Sequence, residues 1–408
     1  MTPMPLKANN LVHGLTGSRT TTHTPDFWPD YSRTLNQIDR LASRFGEAVS
    51  PPRIRLFKNL GHRLDLSNAL LEIAKYPTET LDEWVQRVVS DSEYCFAMNG
   101  TSAWDEDLSD LIVDRVVAPV VEHLGAPTRG FDVYIFGGRY RWTPFGIHSD
   151  SEDSILVHLG PAEKTAFVWN RDAYLNATAC LKGRFNNFDV EPLISIAEEY
   201  RLLPGDLLCI PRGHFHVMTS PEFSVTMGVI PNPATRGRLV SLLLRDVLED
   251  IEGASEDCSF ISESAALTNL YEWVAALGLR NPSLQSGVAD ALTASALRLR
   301  SNGYLVPSPV TPAAIPDENL LLQVPHRYPM CAKSSEDQMT LFVRGFDIGL
   351  KDSIAIRRAL ERMNNGGPFT LGEISTILAQ EFSDDACTAI TRQLNRLGAF
   401  RRDQSFDI

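Results

Sequence analysis

No CxxC pair occurs among the six cysteines of this 408-residue chain; Cys95, Cys180, Cys209, Cys258, Cys331 and Cys387 stand far apart. That spacing argues against a cysteine zinc cluster or a disulfide framework and favours small apolar fillers in a reducing compartment. No apolar run reaches the roughly 18 residues that a bilayer span needs. The opening stretch MTPMPLKANNLVHGLTGSRTTTHTPD has no apolar core of the secretory kind, so a cytoplasmic protein without membrane contact is expected. A basic excess is missing too. The 51 acidic and 38 basic residues give a net charge of −13, which disfavours non-specific binding to nucleic acid or anionic lipid. There is no internal repeat, no low-complexity block and no recognisable Ser/His/Asp or Cys/His catalytic set.

What is present is an ordinary globular composition, 43% hydrophobic and 22% charged, in a chain long enough for two or three domains. Residues 1–26 read as a mobile tail, and 27–235 as one domain. Its first part, 27–130, is mostly helical by pattern. Leu35, Ile38, Leu41 and Phe45 recur at three- and four-residue spacing, and DLSDLIVDRVVAPVVEHLG is amphipathic up to Gly125 and Pro127. At residue 131 the pattern changes to short runs rich in β-branched and aromatic residues: FDVYIFGG, SILVHLG, TAFVWN, LLCIP and EFSVTMGVI. Gly, Pro, Asn and Asp bound these runs, which predict a small antiparallel barrel or jelly roll over 131–230, with a tight turn at Pro204-Gly205-Asp206. Residues 236–302 return to helix; the leucine-rich RGRLVSLLLRDVLEDI and SAALTNLYEWVAALGL make a homodimer the expectation there. Residues 303–408 close with helix, helix, helix and strand. Thr370 with Glu373 reads as a capping box and Ser383 as a second cap, a winged-helix pattern. The expected fold class is α+β.

The stretch FGIHSDSED carries the chemistry. Residues i and i+2 of a strand share a face, so His148 and Asp150 project together. One imidazole and one carboxylate leave a divalent metal short of ligands, and a third must come from elsewhere in the fold. Two His and one carboxylate form the facial triad of non-haem Fe(II) oxygenases, which keeps open positions for a bidentate 2-oxo acid and O2. His158, His214 and His216 are the candidates. His158 is better placed as a substrate or supporting group, and the i, i+2 rule puts His214 and His216 on one face. Trp142 and Trp169 read as core.

Farther along, LLPGDLLCIPRGHFHVM resembles the JmjC and cupin-like 2-oxoglutarate oxygenases, nearest the ribosomal-oxygenase group. In that group a P-G-D turn precedes a strand ending P-R-G-x-x-H, whose His binds the metal. The resemblance therefore implies His148, Asp150 and His216 as catalytic ligands of Fe(II), with His214 beside the site. It also implies that Lys164, sixteen positions after His148, pairs with the distal carboxylate of 2-oxoglutarate. The hydroxyls of Thr143 and Thr226 are candidates for the same carboxylate. The family often has Gln where this chain has His158. The implied architecture is a double-stranded β-helix with N-terminal helices, a helical dimerisation segment and a C-terminal winged helix. The implied reaction consumes O2 and hydroxylates a side chain of a protein or peptide, with succinate and CO2 as coproducts. A free amino acid or other small molecule as substrate, and demethylation of an N-methyl group, are alternatives on the same fold.

A different class of protein, a cupin sensor joined to a winged-helix regulator, would need a basic DNA-binding face. From Lys351 to Asp403 there are eight Lys or Arg and seven Asp or Glu, and helix 384–397 offers only Arg392 and Arg396. Protein or peptide contact fits that near-neutral segment better than DNA.

Overall fold

The computed structural model describes residues 11–12, 15, 20–43, 53–100, 105–178, 186–233, 282–307 and 316–402. The leucine-rich stretches 236–251 and 264–279, and with them most of the expected dimerisation segment, lie outside those residues. Strand β1 (Thr22–Thr24) and helix α1 (Tyr31–Ala42) come first, followed by β2 (Arg53–Lys58), β3 (Gly61–His62), α2 (Leu64–Glu72), α3 (Leu81–Val89) and β4 (Tyr94–Asn99). Helix α4 (Glu106–Ile112) passes through a π-helical turn, Val113–Val117, into α5 (Ala118–Leu124). The central strands are β5 (Phe131–Tyr140), β6 (His148–Ser149), β7 (Ser154–Pro161), β8 (Lys164–Trp169), β9 (Glu198–Leu202), β10 (Leu207–Ile210) and β11 (Phe215–Pro231), with α6 (Arg171–Ala177) after β8.

The 17-residue β11 organises the barrel. Its first part, Phe215–Thr219, pairs with β8 and β6; its second, Ser224–Pro231, pairs with β5 and β7. Between them the ladder shifts register at Ser220/Ser224, where the two hydroxyls bond each other at 2.7 Å. Such an irregularity bends a strand, and here it carries β11 from one sheet to the one facing it in a jelly-roll arrangement.

Period-two alternation then sorts the side chains. Val133 and Ile135 of β5, Ile155, Val157 and Leu159 of β7, and Val225, Met227 and Val229 of β11 pack outward with Ile38, Leu41, Trp84 and Ile112 of the helices. Each aliphatic side chain buried this way contributes about 1.5–3 kcal/mol. The alternate positions, including Leu156, Ala166, Val168, Leu202, Leu208 and Met218, fill the barrel interior. His158, Lys164 and Thr226 belong to that inward set by parity and by their mutual contacts.

Two expectations need correction. The stretch 27–130, expected to be mostly helical, is mixed, because RIRLFK and YCFAMN form β2 and β4 and extend the large sheet beyond β5. The tail boundary at 26 also moves. Thr22–Thr24 pairs with Leu207–Cys209 on the edge of β10, His23 Nε2 bonds Asp206 at 2.9 Å, and the Asp26 N–H donates to Asp206 at 2.9 Å. The carboxylate of the P-G-D turn thus holds the incoming chain.

The C-terminal part contains α7 (Pro282–Arg300), β12 (Leu322–Gln323), a three-stranded sheet of β13 (Cys331–Ser335), β14 (Gln338–Val343) and β15 (Phe346–Lys351), helices α8 (Ile354–Asn364), α9 (Leu371–Leu378) and α10 (Asp384–Arg396), and β16 (Arg401–Arg402). The sheet and the last three helices share their own core, with Leu341, Ile356, Ile374 and Leu394 buried. Thr370 does cap α9, but Glu373 turns away to Arg362 instead of returning to the Thr370 backbone, so the expected capping box is only half made. Arg401 and Arg327 pair with Glu106, Asp110 and Asp114, an acidic row at four-residue spacing on α4 and the π turn.

Candidate active site

His148 and His216 are direct cross-strand partners in the β6–β11 ladder, and their ring centroids lie 4.3 Å apart. Asp150 follows β6 immediately, and its carbonyl accepts the Gly213 N–H at 2.9 Å. That bond closes the turn leading into β11 over the end of β6. One ligand atom each from His148, Asp150 and His216 fall within 4.8 Å of one another, a separation that a single divalent ion can bridge. The Asp150 Oδ2 to His216 Nε2 distance is 3.7 Å.

The backbone selects which ring nitrogen faces this point. His148 Nδ1 lies 3.0 Å from the Gly146 carbonyl oxygen, and His216 Nδ1 lies 3.4 Å from that of His214. A carbonyl can only accept, so both Nδ1 atoms carry hydrogen and both Nε2 lone pairs are left for a metal. Burial, and then the neighbouring His148, push the His216 pKa down to about 4, which keeps its ring in the neutral, ligating form near neutral pH. Ser154 Oγ donates to Asp150 Oδ2 at 3.1 Å and orients the carboxylate.

The triad lines a cavity of about 350 Å3, with Thr143, Phe136, Tyr134, Met218 and Thr226 among its walls and the exposed Arg55 at its rim. Behind two of these walls, Thr226 and Phe136, lies Lys164, completely buried. Its Nζ donates to Thr226 Oγ1 at 2.7 Å and sits 5.2 Å and 5.7 Å from the ring centres of Phe136 and Tyr140. Desolvation pushes its pKa down to about 7. His158 is fully buried beside it, its pKa pushed down to about 3 by burial and then by Lys164.

The remaining candidates separate. The Thr143 N–H donates to the Met218 carbonyl at 2.9 Å and its hydroxyl accepts the Met218 N–H at 3.4 Å, so it ties the approach to β6 onto β11 while facing the cavity. The His214 ring bonds Thr21 Oγ1 at 3.4 Å and does not line the cavity; only its backbone carbonyl serves the site, through His216. Trp169 is core, its indole N–H donating to the Leu193 carbonyl at 2.9 Å. Trp142 is only partly buried and donates to Glu191.

Asp132, Tyr134 and Phe136, which also line the cavity, were not singled out in the sequence. Their alternation with Val133 and Ile135 in FDVYIF was the available signal. Burial raises the Asp132 carboxyl above its ordinary range.

The chain matches no protein-family model and no curated protein in sequence. Among solved structures it is similar to YcfD of Escherichia coli, with 16% identity over 94% of this chain and 95% of that one and a TM-score of 0.50. The fold is that of YcfD. YcfD is a ribosomal oxygenase, solved also with cobalt and succinic acid (16% identity, 93% of this chain and 94% of that one, TM-score 0.49) and with cobalt and 2-oxoglutarate (16%, 94% of each chain, TM-score 0.47). The side chains that fill the cavity are argued from their own geometry.

Proposed function

We propose that this chain is an Fe(II)- and 2-oxoglutarate-dependent dioxygenase that hydroxylates a side chain of a protein or peptide. The observation that carries the reading is the convergence of His148 Nε2, Asp150 and His216 Nε2 on a cavity that has the buried Lys164 directly behind two of its walls, Thr226 and Phe136. Two imidazoles and one carboxylate suit a divalent first-row metal, which His148, Asp150 and His216 would hold. When bound, Fe(II) with 2-oxoglutarate supplies the oxidation of an unactivated C–H bond by O2, with succinate and CO2 released.

The protein's own part is placement. Gly146 and His214 carbonyls fix the tautomers of the two imidazoles. Ser154 fixes the carboxylate. Lys164 offers a desolvated point charge to a carboxylate, where water does not screen it. Apolar side chains of the barrel interior, Leu156, Ala166, Val168 and Leu208 among them, form a buried cluster on the same inward face as Lys164.

A macromolecular substrate is favoured by the open rim. Arg55 is exposed there, and Asn99, Glu152 and Asn232 are partly exposed, so a side chain can enter from outside while its backbone stays on the surface. YcfD, as a ribosomal oxygenase, supports the same class. Among the described residues no helix is long and apolar enough to cross a membrane. The near-neutral C-terminal unit, which we read as winged-helix-like, suits protein contact or packing between copies.

Intact-mass measurement of candidate ribosomal peptides with enzyme, Fe(II), ascorbate and 2-oxoglutarate tests the reading. A gain of one oxygen, lost in His148→Ala and retained in His214→Ala, is expected. Iron-dependent succinate formation with free amino acids but never with peptides would replace the substrate class; no succinate under any condition would overturn the proposal.

A further inference from the structure

His158 and Thr226 face each other across the β7–β11 ladder, and both lie inside the barrel. His158 Nε2 is 2.8 Å from the carbonyl oxygen of Ala162, and Nδ1 is 3.3 Å from Thr226 Oγ1. A carbonyl oxygen can only accept, so Nε2 carries the hydrogen. The ring is held neutral by burial and by the adjacent lysine, which leaves Nδ1 as an acceptor. The proton it accepts is that of the Thr226 hydroxyl. The same hydroxyl oxygen lies 2.7 Å from Lys164 Nζ and accepts from it; in its charged form the lysine has donors only. All three hydrogen bonds therefore run one way, from Lys164 through Thr226 and His158 to the Ala162 carbonyl.

We propose that His158 is a positioning residue: by accepting the Thr226 proton it turns that hydroxyl's lone pair to Lys164, so that the lysine, and not the threonine, is the donor that meets an incoming carboxylate. The proposal rests on the reading of the cavity as a 2-oxoglutarate site. Lys164 needs such a partner. It bonds only Thr226 among the described residues, the Phe136 and Tyr140 rings wall it in, and its remaining donors have no protein acceptor there. Without His158 the Thr226 hydroxyl is free to rotate, and an ammonium on a flexible stem loses the contact that fixes its position. Gln at 158 has an acceptor oxygen and an N–H donor at one end of its side chain and can reproduce both bonds; Leu reproduces neither.

Two measurements test this. The first is a long-range 1H–15N spectrum of the unsubstituted, metal-free protein, which needs no variant to fold and no ligand to bind. His158 is expected as the neutral, Nε2-protonated tautomer, unchanged from about pH 5 to 8. A ring protonated at Nδ1, or one that titrates in that range, overturns the relay. The second is calorimetric titration of 2-oxoglutarate into protein loaded with Mn(II). His158→Leu and Thr226→Val are each expected to weaken 2-oxoglutarate about tenfold while leaving the Mn(II) affinity unchanged, and His158→Gln to recover most of the loss. If His158→Leu binds 2-oxoglutarate as tightly as the unsubstituted protein, or loses Mn(II) affinity in step with it, His158 is not a positioning residue for Lys164. If the unsubstituted protein shows the expected tautomer yet binds no 2-oxoglutarate, the proposed function fails, and with it the lysine's role toward a carboxylate, while the hydrogen-bond order stands.

Discussion

At one end of β11, His216 faces His148 across the ladder; farther along, Thr226 faces His158. The two pairs share a strand but face opposite electrostatic problems. At the first, each imidazole gives its Nδ1 hydrogen to a backbone carbonyl and presents a free Nε2, while the Asp150 side chain is 42% exposed. At the second, nothing is exposed. Lys164 sits without a counter-ion, and burial alone lowers its pKa to about 7. A metal end can include a ligand as open to water as Asp150 because the ion supplies the binding energy. An anchoring end gains its strength from desolvation, and therefore needs its one cation held in place by neighbours that cannot themselves neutralise it.

Substitutions can break that contrast at either end. The largest effect is expected from His148→Ala or His216→Ala, which should weaken Co(II) or Mn(II) binding by more than about a hundredfold and abolish turnover, as read by calorimetry and succinate release. Lys164→Met should leave the metal in place and weaken 2-oxoglutarate by roughly a hundredfold, the scale set by loss of one partner of a buried charge pair. Ser154→Ala should cost about tenfold in metal affinity, because it frees Asp150 to rotate, and should spare 2-oxoglutarate binding to the metal-saturated protein.

A pH series sharpens the same comparison. The folded pKa of Lys164, about 7, lies below its ordinary 10.5. Between those values the unfolded chain binds a proton that the ligand-free folded chain does not. Stability should therefore rise with pH across that window in the unsubstituted protein relative to Lys164→Met, as measured by urea unfolding. An anionic ligand has the opposite dependence. It needs the charged lysine, so 2-oxoglutarate affinity should fall as pH rises above about 7, by at most about tenfold per unit, and this slope should vanish in Lys164→Met. The smallest change is expected from His214→Ala, whose ring lies outside the cavity and whose useful atom is a carbonyl the substitution keeps.

Much of this was legible in the chain, for identifiable reasons. The runs SILVHLG, TAFVWN and LLCIP are inward–outward alternations bounded by turn residues, and they became β7, β8 and β10 at nearly those limits. The helical reading of 27–130 failed at RIRLFK and YCFAMN because both lie between well-signalled helices; YCFAMN is a central strand buried on both faces, with no polar alternation to reveal it. Periodicity could not choose between His214 and His216, since the i, i+2 rule applies only within a strand. His214 is in the turn before β11, its N–H bonded to the Pro211 carbonyl, and its ring points elsewhere. The order of Lys164, Thr226 and His158 was not readable at all, because it depends on the register of β7 against β11.

The most direct measurement is an anaerobic titration of the Fe(II)-loaded protein with 2-oxoglutarate, followed by the visible metal-to-ligand charge-transfer absorption. A saturable band is predicted for the unsubstituted protein, absent in His148→Ala and shifted to much higher 2-oxoglutarate concentration in Lys164→Met. A protein that binds Fe(II) through His148, Asp150 and His216 yet develops no such band would contradict the account.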